Sequence, residues 1–300
     1  MSFRKLAAVL LAGGLALTAC GQQSNLGSSA PSAPPVASGA SFPEGSTMAK
    51  LAAAGTIRVG TKFDQPLFGL KGLDGKPEGF DVEIAKIVSA KLGIPADKIV
   101  YTETPSKIRE DVIANDQVDM VVATYTINDA RKQKISFAGP YYIAGQDLMV
   151  KSDNTTITGP ETLKAANARV CSVSGSTPAK TITQYVDQAN IVLFDVYSKC
   201  ADALRNGQVE AVTTDNVILA GFAAQPQYQG KLKVVGKPFS EEKYGVGIKK
   251  GDTELCGKIN AALEKMVSDG AWEKAIADTV GASGFKPDPA TNPPKPEPCS

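Results

Sequence analysis

Residues 119–142 read DMVVATYTINDARKQKISFAGPYY. Met120-Val121-Val122-Ala123 is a short apolar run of the kind that forms a strand buried on both faces. It leads into Thr124, Tyr125 and Thr126, and then into Asn128-Asp129, a helix-start signal with Arg131 in the first turn. Two hydroxyls, a guanidinium and free helix N–H groups thus converge at the carboxyl end of one strand. That is where open α/β sheets bind ligands, and every one of these donors suits a carboxylate. The plainer reading is a surface helix start with a solvated arginine.

On either side of this stretch strands and helices alternate. Strands are expected at Thr56–Lys62, Lys98–Glu103, Asp119–Tyr125 and Gln146–Lys151, with helices at Asp81–Leu92 and Ser106–Asn115. The pattern then restarts. Strands are expected at Ala168–Val173, Ile191–Val196 and Glu210–Thr214, and helices at Thr177–Gln188, Ser198–Asn206 and Asp215–Ala224. Leu232–Gly236 reads as extended, Tyr244–Lys249 as a returning strand and Asp252–Val280 as two closing helices carrying the only tryptophan, Trp272. Two βα units imply an α/β fold of two parallel-rich sheets with a cleft between them. Lobe 1 is expected to comprise residues 46–147 and 241–281, and lobe 2 residues 148–240. The two crossings would form a hinge.

Composition removes several classes of function. With 32 basic and 31 acidic residues there is no support for a nucleic-acid surface. Histidine is absent, which removes the commonest general base and most zinc sites, so neither catalytic residues nor a metal or cofactor are expected.

The first 19 residues read as a signal peptide, with Arg4-Lys5 ahead of an apolar run too short to span a bilayer. Leu17-Thr18-Ala19-Cys20-Gly21 resembles a bacterial lipobox, which implies cleavage before Cys20 and a lipid on its sulfur. The uncharged stretch GQQSNLGSSAPSAPPVASGAS (21–41) belongs to an expected flexible tether over 20–45, reaching about 25 Å by random-coil scaling. Cys171, Cys200, Cys256 and Cys299 remain. In an exported chain they suggest two disulfides with three pairings open. Cys171–Cys200 and Cys256–Cys299 each fall within one expected lobe, and four free thiols are the alternative. The tail at 282–300 is too rich in proline to fold alone, and Cys299 is placed to pin it.

In order along the chain stand Gly79-Phe80-Asp81-Val82-Glu83-Ile84-Ala85, Val118-Asp119, Ala123-Thr124 through Arg131-Lys132, Phe137-Ala138-Gly139-Pro140-Tyr141-Tyr142, Val173–Thr177 and Asp202-Ala203-Leu204 through Asp215. Together they resemble the extracellular amino-acid-binding proteins of ABC importers, the family 3 type of solute-binding protein. The likeness runs over roughly Lys50–Gly281 and is nearest to actinobacterial glutamate-binding lipoproteins, on the cysteines and the TTDNVILAG run. It implies the type II periplasmic-binding-protein-like fold and a non-catalytic receptor. That receptor would be a monomer, lipid-anchored on the outer face of a Gram-positive membrane, with an ABC permease as partner.

The resemblance also implies a site. The ligand's α-carboxylate would fall on Arg131 with Thr124 and Thr126, and on the helix start at Ser176 and Thr177. Asp215 would take the α-ammonium. Relatives for glutamine or basic amino acids carry an aspartate where this chain has Lys62, in GTKFDQP. Lys62 and Arg109 would read a second carboxylate, with Tyr197 as an aromatic neighbour. Charge counting gives three cations and one anion in the cleft, which favours glutamate, with aspartate one methylene shorter. A sensor reporting to a membrane kinase, or a glutamine or asparagine receptor, would share the fold. An enzyme on the same scaffold is the reading from another class.

Other features read as structural. Gly175–Lys180 lacks the order of a phosphate loop. Gly245-Val246-Gly247 suggests close packing inside a strand, and Glu241-Glu242 a solvated turn.

Overall fold

The computed structural model describes residues 33–299; the signal peptide and Cys20 lie outside them. Ala33 onward forms one compact unit built on two five-stranded sheets and a small three-stranded one. In chain order come α1 (Thr47–Ala54), β1 (Ile57–Thr61), β2 (Asp64–Gln65), β3 (Gly69–Lys71), β4 (Pro77–Glu78), α2 (Phe80–Lys91) and β5 (Ile99–Glu103). There follow α3 (Arg109–Ala114), β6 (Met120–Val121), α4 (Asp129–Lys132), β7 (Ser136–Ala144) and β8 (Gln146–Lys151). Next are β9 (Val170–Val173), α5 (Thr177–Thr181), β10 (Ile191–Phe194), α6 (Tyr197–Arg205), β11 (Ala211–Asp215) and α7 (Asn216–Ala223). The chain closes with β12 (Leu232–Val234), β13 (Glu242–Ile248), α8 (Thr253–Ser268) and α9 (Ala271–Asp278).

The two large sheets repeat one plan. The first has the order β5-β1-β6-β13-β7 and the second β10-β9-β11-β8-β12. In each, three parallel strands are followed by one antiparallel strand, β13 or β8, and the outermost strand, β7 or β12, pairs antiparallel with it and so runs in the direction of the first three. The chain passes from the first sheet to the second through Gly145 and returns through residues 235–241. These crossings lie side by side. A Cβ on Gly145 would come within 2.7 Å of Pro238 Cβ and 2.9 Å of Ser240 O, so the close approach requires glycine there.

Three expectations need correction. The strand drawn over Asp119–Tyr125 ends at Val121, because the chain turns at Thr124 into the left-handed region (φ +45°). The helix drawn over Thr177–Gln188 stops at Thr181 and tightens into a 3₁₀ turn at Ile182–Gln184. The β-branched run Thr181-Ile182-Thr183 is poor helix material. Strand β7 was not among the expected strands; its Pro140 falls where the register with β13 shifts, between the pairs Tyr244–Tyr142 and Val246–Ala138. It lies at the sheet edge, where a missing N–H costs no ladder bond.

The tail covers that edge. Glu297 N–H donates to Gly139 O (2.7 Å), and the Asn292 side chain bonds both the N–H and the C=O of Ile143 (2.9 Å each). The structure joins Cys256 to Cys299 and Cys171 to Cys200. Under the first sheet Phe68, Phe80, Tyr142, Tyr244 and Trp272 pack as one aromatic cluster, with Trp272 Nε1 donating to Tyr141 O at 2.9 Å. The expected close packing at Gly245 and Gly247 is present: a Cβ on either would press on Ile127 or Tyr125.

Candidate functional site

The first wall of the cleft is the turn after β6. A non-glycine residue at positive φ is held there only when its surroundings over-determine it. Thr124 N–H donates to Asp81 Oδ2 (2.7 Å), Thr124 Oγ1 accepts from Gln65 Nε2 (3.1 Å), and the carbonyls of Ala123 and Thr124 accept from Arg109 Nη1 (2.8 and 3.4 Å). Asp81 also accepts from Tyr141 OH at 2.5 Å. Burial pushes its carboxyl up to about 7, against the pull of those two donors.

The turn delivers Tyr125 and Thr126 to the cleft, and Asn128 caps α4 by accepting Arg131 N–H (3.0 Å), as the helix-start signal foretold. Arg131 is more engaged than expected. Its Nε donates to Glu110 (3.1 Å), Nη1 to Thr126 O (2.6 Å) and Nη2 across the cleft to Gly175 O (3.1 Å). Its guanidinium and that of Arg109 lie 5.0 and 4.1 Å from the centre of the Tyr125 ring.

Lys62 and Arg109 are both buried, at 3% and 2% exposure. Lys62 Nζ donates to Ser106 Oγ (2.9 Å). Neither cation forms an ion pair among the described residues, and Arg109 Nε has no hydrogen-bond partner. Burial lowers Lys62 to about 7 and Arg109 to about 10, with the neighbouring arginine adding to each shift.

The second wall comes from the other sheet. Ser176 caps α5 by accepting Ala179 N–H (3.0 Å), and Thr177 opens the helix. Gly175 meets Lys107 of the first lobe so closely that a Cβ would lie 2.7 Å from Lys107 Cα; its φ of +79° also favours glycine. Tyr197 begins α6, 4% exposed, its phenol pushed up to about 12 by burial. Asp215 ends β11. Its Oδ2 accepts from Tyr244 OH (2.5 Å), its Oδ1 is buried without a partner, and burial followed by the charge of Glu242 holds its pKa well above the carboxylate range.

Seven of the nine expected ligand contacts therefore line one small cavity of about 10 Å³, the room of a single water: Arg109, Thr124, Thr126, Ser176, Thr177, Tyr197 and Asp215. Lys62 sits behind it against Ser106, and Arg131 lines a wider outer groove of about 590 Å³.

Glu242 is the residue the sequence reading misplaced. Far from a solvated turn, it is 3% exposed, and its Oε2 accepts from Thr126 Oγ1 and Thr177 Oγ1, each at 2.7 Å. Extending the returning strand two residues upstream would have found it. Period-two alternation puts Glu242 on the face of Tyr244, which reaches Asp215. The cleft consequently lacks the excess of cations that charge counting gave. Against Lys62, Arg109 and Arg131 stand Asp81, Glu110, Asp215 and Glu242, four acids rather than one.

Known proteins share this architecture. The model of the bacterial extracellular solute-binding proteins, family 3, matches residues 57–281. The glutamate-binding protein GluB of Corynebacterium glutamicum is 40% identical over 236 residues, 76% of this chain and 79% of its own. The ABC transporter glutamine-binding protein GlnH of Bacillus subtilis is 37% identical, over 81% and 86% of the two chains. A solved ancestral arginine-binding protein bound to glutamine superposes with a TM-score of 0.70 at 35% identity, covering 76% of this chain and 98% of that one. The two-sheet plan, the double crossing and the match over nearly all of both lobes have one reading: this chain belongs to the family 3 bacterial extracellular solute-binding proteins.

Proposed function

We propose that the protein is a lipid-anchored receptor that captures glutamate between its lobes and hands it to an ABC importer. The observation that carries the choice of ligand is the pair of buried cations, Lys62 and Arg109, which have no carboxylate of their own among the described residues. A buried charge without a partner is costly, and a ligand that brings a carboxylate removes the cost. The 40% identity to a glutamate-binding protein points the same way.

In this reading the α-carboxylate meets Arg131, the hydroxyls of Thr124 and Thr126, and the N–H groups at Ser176 and Thr177. The α-ammonium takes the unpartnered Oδ1 of Asp215. The side-chain carboxylate lies toward Lys62 and Arg109, with Tyr197 beside it. Aspartate fits the same charges one methylene short, a difference of ~1–3 kcal/mol. Closure turns about Gly145 and residues 235–241 and presents both lobes to the permease. The lipid on Cys20 keeps the receptor at the outer face of the membrane, on a tether shorter than the expected 20–45, because Ala37 N–H bonds Ala90 O and Phe42 packs on the core. No chemical step is assigned to any residue.

Glutamine is the second reading. Lys62 lowered to about 7 is part neutral at physiological pH, and a neutral amine has a lone pair for an amide N–H. Calorimetric titration with glutamate, aspartate, glutamine and asparagine decides between them. Tight binding of glutamate with weak binding of its amide is the expected result, and a preference for glutamine overturns it.

A further inference from the structure

Glu242 has an environment that nothing in the proposed capture of ligand uses. It opens β13, where the chain returns to the first sheet. Its Oε2 accepts from Thr126 of the first lobe and Thr177 of the second, and its Oε1 accepts from Ser240 in the crossing segment (2.9 Å). The two threonine hydroxyls are themselves 3.3 Å apart. One carboxylate thus bridges both lobes at the hinge end of the cleft. Among the described residues no cation pairs with it, and Asp215 is close enough for the charge of Glu242 to push its pKa up. Held by three hydroxyls and facing another acid, this carboxylate is bound firmly enough to join the lobes but without the charge neutralisation of an ion pair.

We propose that Glu242 is a built-in carboxylate latch. It occupies from within the chain the hydroxyl donors that an incoming carboxylate needs, so ligand and latch compete. The inference rests on the reading that Thr126 and Thr177 receive the ligand's α-carboxylate. Ser240 gives the displaced latch a place to stay, because it already holds the other oxygen. The latch favours closed lobes before ligand arrives and lowers the apparent affinity by the factor with which it outcompetes the open form.

Small-angle scattering on the purified protein without ligand tests the latch independently of any choice of ligand. Glu242→Ala should enlarge the radius of gyration, and Glu242→Gln, which keeps shape and one acceptor but loses the charge, should enlarge it less. Thr177→Val, which removes one clasp while leaving Glu242 and the crossing segment unaltered, should enlarge it also. All three differences from the unaltered protein should appear with unchanged far-UV circular dichroism. Calorimetry with L-glutamate should then show Glu242→Ala binding about tenfold tighter, equivalent to ~1.4 kcal/mol. Identical scattering for all four proteins overturns the latch, as does weaker glutamate binding by both Glu242 variants, which would make this residue an acceptor for the ammonium. If the unaltered protein binds no glutamate, the ligand assignment fails while the scattering result still judges the latch.

Discussion

Arg131 makes three directed hydrogen bonds to three different segments, one of them across the cleft, so its loss is felt by more than the ligand. Arg131→Ala should abolish binding of every amino acid, by ~2–5 kcal/mol, and Arg131→Lys should not restore it, since an ammonium cannot reproduce the fork. Lys62→Ala should weaken glutamate far more than glutamine; equal losses in calorimetry would count against the proposed reading. The pH dependence follows from the lowered Lys62. Below about 7 the cation is present to meet a carboxylate, whereas above it the free protein must take up a proton to bind. Glutamate affinity should therefore fall as pH rises from 7 toward 9, with proton uptake visible as a buffer-dependent heat at pH 8. For stability the sign is reversed. The folded-state value lies below the ordinary 10.5, so the unfolded chain binds the extra proton between about 7 and 10.5, and the penalty of burying Lys62 fades as pH rises through that window. The residues gathered in the cleft were expected from the family resemblance, with the opposite charges of a zwitterion as the physical reason for setting such types close together. Their partners were not, because Glu110 reaches Arg131, and Glu242 reaches Thr126, across separations that local patterning does not register.

At the scale of elements, periodicity located the parallel strands and the longer helices of the two βα units, since buried parallel strands announce themselves as apolar runs, but it gave neither α1 nor the small sheet of β2, β3 and β4. It failed where a partner rather than a pattern makes the element. Strand β7 is a strand because β13 pairs with it along its length and the tail covers its outer edge, despite Gly139-Pro140 in its middle. The tail in turn is ordered by long-range bonds that a proline-rich composition conceals. Opening Cys256–Cys299 should release it. Cys299→Ser is expected to lower stability by ~2–4 kcal/mol and to raise hydrogen exchange at Ile143, whose N–H bonds Asn292. A chemical-denaturation midpoint equal to that of the unaltered protein would show that the covering is held by its hydrogen bonds alone.

For the whole molecule the decisive contact is backbone on backbone. Gly175 lets the second lobe approach Lys107 of the first with no side chain between them. Gly175→Ala should act as a wedge, leaving each lobe folded yet weakening ligand binding and enlarging the ligand-saturated radius of gyration. An unchanged radius with unchanged affinity would show that the lobes adjust around the methyl group. The two-lobed plan was readable from the restart of the βα pattern, but the tightness of this approach was not, because it depends on how the fold brings Lys107 and Gly175 together from distant parts of the chain. Both ends of the described residues dock on the same half: Ala37 N–H bonds Ala90 O of α2, and Cys299 is tied to α8. Whatever is fastened to either terminus rides on that half, so the other is the free arm, and a reporter fused at the front or back should leave its swing unencumbered.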